Sequence, residues 1–141
     1  MKTKNKFILV ALPLAIISFL LSRVIWPELA GMVGPEASLI PHFIFLSALE
    51  SISFGIGIAF AVFGWMRLRA SLMGQSKLNI AAFVSATWFL VSWWPHDNMH
   101  RVHAMNDFAG LLRIEYLFHF TLIIAGGIIA LFLWKQISNS N

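Results

Sequence analysis

The sequence predicts an all-α integral membrane protein, a bundle of four transmembrane helices, and three observations lead there. Only 11% of its 141 residues are charged, against about 25% in soluble domains. Its apolar residues fall into four long runs without period-two alternation, which speaks against strands and barrels. The basic residues sit at the ends of those runs, where topology signals lie.

The first span is expected over 7–25. Lys2, Lys4 and Lys6 precede it in the manner of a signal peptide. No small-x-small cleavage site follows, and the run is long enough to cross, so it reads as a retained helix. Trp26-Pro27 ends it at an interface, and Glu28 to Ser38, with its Gly and Pro residues, is a loop. The second span covers 40–66, with Pro41 in the first turn, where proline is tolerated. Arg67, Arg69 and Lys77 mark the next connection. The third span, 79–94, is short and closed by Pro95, and the fourth runs over 106–134 to Lys135. Between spans three and four a short amphipathic helix or turn is expected at Asp97–Met105, with Asp97 as its cap. The four spans form a single domain, 1–141.

Orientation follows from the loops. The lysines before span one, the Arg67–Lys77 loop and Lys135 share one side, which the positive-inside rule makes cytoplasmic. Both termini then lie in the cytoplasm. The opposite side carries Glu28, Glu36 and the histidine-rich stretch, so a cell-membrane protein is expected with that stretch extracytoplasmic.

Composition also excludes. With no cysteine there is no disulfide, iron–sulfur cluster or thiolate metal site. A net charge of +4, spent on topology, is no nucleic-acid footprint.

The stretch Trp93 to His119 is the polar exception. It holds four of the five histidines, His96, His100, His103 and His119, with Asp97, Asp107 and Glu115. His96, His100 and His103 recur at i, i+4 and i+7, one face of a helix, and Asp107 extends it. Glu115 and His119 repeat the i, i+4 relation. Imidazole and carboxylate are ligands for Zn, Cu or Fe. At about 1.5 Å per residue, Glu50, Arg23, His96, Asp97, Glu115 and His119 all reach roughly 25–30 Å above the cytoplasmic ends of their helices. That layer is the outer edge of a hydrocarbon core about 30 Å thick.

Facing is read from periodicity. Glu50, Ser53, Gly57, Ala61 and Gly64 make a ridge of small residues on span two; His119, Ile123, Gly126 and Ala130 make one on span four. Small ridges let membrane helices approach closely, so the two are expected to pack and bring Glu50 to His119. Ionisable groups within a span cost at least about 2.5 kcal/mol and face the interior.

The site expected is therefore a divalent transition-metal centre drawn from His96, Asp97, His100, His103, Glu115 and His119, with Glu50 as ligand or orienting neighbour. Such a centre serves redox or hydrolytic chemistry on a small or lipid-borne substrate. The bland alternatives are solvated histidines at His100 and His103, and a buried Glu50–His119 pair that only fastens two helices. Two further functions stay open: an accessory subunit of a larger membrane complex, and an ion- or proton-coupled carrier using Glu50, His119 and Arg23 as an oligomer. The lipid bilayer is the expected partner, with a homo-oligomer or larger membrane complex beyond it. Neither the His-Glu-x-x-His zinc motif nor paired Glu-x-x-His motifs of di-iron bundles occur.

Overall fold

The computed structural model describes residues 3–27, 30–31, 34–70, 76–103 and 107–139, with the side chains of 3, 4, 103 and 108 also outside the description. Five helices make up the fold: α1 (Thr3–Ile25), α2 (Ile40–Ala70), α3 (Lys77–Val91), α4 (Trp93–His103) and α5 (Phe108–Ser138). No strand occurs among the described residues. Three stretches are long and apolar enough to cross a membrane: Asn5–Ile25, Ile40–Ala70 and Ala109–Ser138. At 15 residues, α3 is apolar but shorter than these three.

The distribution of side chains is inverted relative to a protein in water. Inside sit small residues and serines: Ala11, Ala15, Ser18, Ser22, Ser51, Ala59, Ala82 and Ser85 are all buried. Outside stand large apolar ones, including Leu20, Phe45, Tyr116, Leu117, Ile123 and Trp134. An exposed apolar surface of this extent has no place in water, and small residues at the contacts are how helices pack in lipid.

Packing follows chain order. α1 lies on α2, α2 on α3, and α3 on α5, while α4 touches α2, α3 and α5. Glycine makes two of these approaches possible. A Cβ at Gly55 would collide with the main-chain oxygen of Ala11 on α1; one at Gly57 would come within 2.6 Å of Val91 Cγ1 on α3. Hydrogen bonds then tie neighbours: Ser53 Oγ donates to the Leu90 oxygen across α2–α3 at 2.8 Å, and Trp88 Nε1 to Thr121 Oγ1 across α3–α5 at 3.0 Å.

Two expectations are corrected here. The third span does not end at Pro95. Ser92 N donates to the Trp88 oxygen at 3.0 Å and His96 N to the Ser92 oxygen at 3.1 Å, so the helical path carries on from α3 into α4 with a break at Ser92. Pro95 occupies the first turn of α4, where its missing N–H is not needed. Asp97 consequently lies inside α4 and caps nothing. The capping carboxylate is Asp107, whose Oδ1 accepts from Gly110 N at 2.8 Å and starts α5.

Candidate metal centre

α4 carries His96 and His100 one turn apart, so both rings project to one side. α5 packs against that side and presents Glu115 and His119 with the same spacing. Three ligand atoms converge. His100 Nε2 lies 2.6 Å from Glu115 Oε1, His96 Nε2 lies 3.5 Å from the same oxygen, and the two Nε2 atoms are 3.2 Å apart. These three residues form a group able to hold a metal ion. Ligands about 2.0–2.1 Å from a tetrahedral metal are separated by about 3.3 Å. Two of the three edges already have that length. The third, now closed by the hydrogen bond between His100 and the carboxylate, needs to open by under about 1 Å.

His96 is the fixed member. It is only 8% exposed, stacks on Phe118 at 3.7 Å between ring centroids with 16° between planes, and meets Trp93 edge-on. The neutral imidazole is the form that binds metals. Its Nδ1 is buried with no hydrogen-bond partner, and Asp97 Oδ1 lies 3.6 Å away. A metal-bound imidazole commonly directs its other nitrogen at a carboxylate, which fixes ring and tautomer. Asp97 stands where that role requires it, slightly too far for a hydrogen bond.

His119 is differently placed. At 58% exposure it sits on the rim, its Nδ1 2.9 Å from the Glu115 main-chain oxygen and 3.1 Å from Glu115 Oε2. Both neighbours are acceptors, so Nδ1 carries the proton. His119 thereby holds the carboxylate of Glu115 toward the two histidines of α4, and its Nε2 keeps a lone pair.

The other face of α4 turns to α2. There Asp97 meets Glu50, carboxyl against carboxyl, with Arg101 close by. They border a cavity of about 410 Å³ lined also by Leu46, Leu49, Ser53 and Trp93. A hydrogen bond between two carboxyls requires a proton on one of them. Deeper on the α1 side, Ser22 Oγ donates to Asn98 Oδ1, Arg101 donates to Asn98 Oδ1 at 3.1 Å and to Ser22 Oγ at 3.3 Å, and Asn98 Nδ2 donates to the Trp94 oxygen at 2.6 Å.

Of the expected site residues, then, the structure joins His96, His100 and Glu115 in one cluster, with His119 and Asp97 at its edges. The expected contact of Glu50 with His119 is not made: the partner of Glu50 is Asp97, and that of His119 is Glu115. The reason is that the α2 ridge packs on α3: Ser53 bonds to Leu90, Gly57 meets Leu90 and Val91, and Gly64 meets Phe83, so α3 stands between α2 and α5. The carrier relay of Glu50, His119 and Arg23 loses its geometry with that contact. Arg23 is exposed and lines a separate cleft with Phe19, Gly34 and Ile40. The side chain of His103 lies outside the described residues. Sequence reasoning gave no role to Phe118, which positions His96, nor to Asn98. Asn98 had a readable signal: an amide two residues after His96 on a helix whose polar face was already recognised.

Comparison with family models, with characterised proteins and with solved structures returns no match.

Proposed function

We propose that this is a four-span protein of the cell membrane whose His96, His100 and Glu115 bind a divalent transition metal at the outer edge of the bilayer. In this reading α3 and the first turn of α4 make the third crossing, both termini are cytoplasmic, and the rest of α4 lies along the external surface. The basic residues at the cytoplasmic ends, Lys6, Arg67, Arg69, Lys77 and Lys135, support that sidedness.

The observation that carries the metal is the convergence of two imidazole nitrogens and one carboxylate oxygen within 3.5 Å of one another. Two histidines and one carboxylate are the donor set of open zinc sites and of non-haem iron. Copper is also compatible with it. Three protein ligands leave a position for water or substrate, which suits hydrolytic or redox work. Asp97 orients His96, His119 orients Glu115, and Glu50 acts at one remove by holding Asp97. The large apolar surface takes lipid, and a further copy or a larger complex would have to use the same surface.

Elemental analysis of detergent-purified protein tests this. Stoichiometric zinc, copper or iron is expected in the wild type and is absent from His100→Ala and Glu115→Gln. Wild-type protein that stays metal-free after exposure to each of the three ions ends the reading.

A further inference from the structure

We propose that the groove between α2, α3 and α5, at the end of the fold away from the histidine cluster, binds an anionic phospholipid, with an acyl chain in the groove and the phosphate among the basic side chains at its mouth. The groove measures about 430 Å³, within the range of about 300–1,000 Å³ usual for ligand sites. Its floor is α3, where Ala82 and Ala86 are too small to fill the space between the flanking helices. Phe60 on α2 forms one wall, and Ile129, Phe132 and Leu133 on α5 form the other. Aromatic packing holds the α2 side in place: the Phe83 ring lies 5.1 Å from that of Phe60 and 6.0 Å from that of Trp65, between centroids.

The mouth of this groove is rich in cations. Leu68 and Asn79 line the groove at that end. Arg67 and Arg69 flank Leu68, Lys77 opens α3 two residues before Asn79, and Lys135 follows Leu133 by two. Helical spacing puts two of these on the faces that wall the groove: Arg67 stands seven residues after Phe60, and Lys135 three after Phe132. All four are exposed, and none forms an ion pair with a described residue. No acidic side chain occurs between Glu50 and Asp97 or after Glu115, so nothing acidic on these stretches cancels the charge. The start of α3 adds the positive end of its dipole, and its N-cap, Ser76, makes no side-chain cap bond there.

Basic residues at helix ends set topology wherever they fall. Here they also ring the opening of an apolar recess, and that combination fits an amphiphile with a negative head. Guanidinium groups take phosphate oxygens in pairs, and basic pockets between spanning helices suit anionic headgroups. A zwitterionic lipid offers the same chains but carries its own cation into the rim. A second copy inserted in the same orientation would set one basic end against another. The binding does not depend on the metal reading; only the leaflet, the inner one, follows from the sidedness proposed above.

The test titrates delipidated full-length protein in neutral detergent with dioleoylphosphatidylglycerol or dioleoylphosphatidylcholine, bound lipid being counted by native mass spectrometry. One phosphatidylglycerol per chain is expected, with phosphatidylcholine weaker on the order of tenfold. Arg67→Gln and Lys135→Gln each weaken phosphatidylglycerol about fivefold and leave phosphatidylcholine unchanged. Lys6→Gln changes neither. Lys6 is a cation of the same end, placed there by the contact of Phe7 with Phe63, but it belongs to α1, outside the groove. Ala86→Phe fills the groove, keeps every charge and abolishes the one-to-one complex. Should it fail to fold, Leu133→Trp closes the groove from the α5 side. Equal binding of the two lipids, a phosphatidylglycerol complex that survives a folded groove-filling variant, or a loss in Lys6→Gln as large as in Arg67→Gln overturns the proposal, because each reduces the site to diffuse surface charge or unselective lipid contact.

Discussion

The two faces of α4 carry similar polar residues and use them in opposite ways. On the face toward α1 and α2, the amide and carboxyl groups pair with one another across helices, while the indole nitrogens of Trp26 and Trp94 are buried with no partner. Asn98 spends both ends of its amide on Trp94, Ser22 and Arg101, and Asp97 and Glu50 meet each other. On the face toward α5, two imidazoles and a carboxylate crowd together with more lone pairs than protons, and His96 leaves a buried nitrogen unmatched. The first network fastens helices. The second brings two imidazoles and a carboxylate to one point and is fit to receive an ion. What separates the two is which groups converge, not the number of polar groups.

The largest effect expected from this contrast comes from removing the central carboxylate. Glu115→Ala should weaken zinc or cobalt binding by more than about a hundredfold, beyond the 10–100-fold typical of residues that only support ligands. The reading is a competition titration with a chromophoric chelator. Unchanged affinity would make the α5-facing cluster as structural as its opposite. Smaller, and diagnostic of orientation, are His119→Ala and Asp97→Asn, each expected to cost about tenfold. In the cobalt-loaded protein the visible bands should persist in both, because the first three ligands remain. Loss of the bands would promote the altered residue to a ligand.

Much of this was legible in the chain, and the remainder fails for a physical reason. The apolar runs at 7–25 and 40–66 fall within α1 and α2, and α5 takes up the run at 106–134 from Phe108 on, because a long apolar run without period-two alternation is a helix pattern. The pairs His96–His100 and Glu115–His119 were readable because i, i+4 spacing is local geometry. The direction around each helix axis was not: a ridge of glycine and alanine says that some helix comes close, not which one. Gly57 and Gly64 took α3 rather than α5, and Glu50 went to Asp97 rather than His119. Pro95 misled for a related reason. In a first turn it is compatible with a helix, and only the Ser92–His96 hydrogen bond shows that the helical path continues.

The smallest effect on metal, and the sharpest control, is expected from Asn98→Ala. Asn98 is 2% exposed and lies two residues from His96 on the same helix. Its loss takes away the acceptor of the Ser22 hydroxyl and one acceptor of Arg101, which keeps only its 3.3 Å bond to Ser22 Oγ in this network. Stability should fall by about 1–3 kcal/mol, the cost of buried groups left unsatisfied, seen as a lower unfolding midpoint in detergent. Metal affinity should stay within about twofold, less than the energy of a single hydrogen bond, because none of the three ligand atoms touches the amide. If affinity falls together with stability, the two faces of α4 are coupled through the tilt of the helix, and the α1–α2 side is part of the site. If stability falls alone, fastening and ligation are separate tasks assigned to opposite sides of one eleven-residue helix.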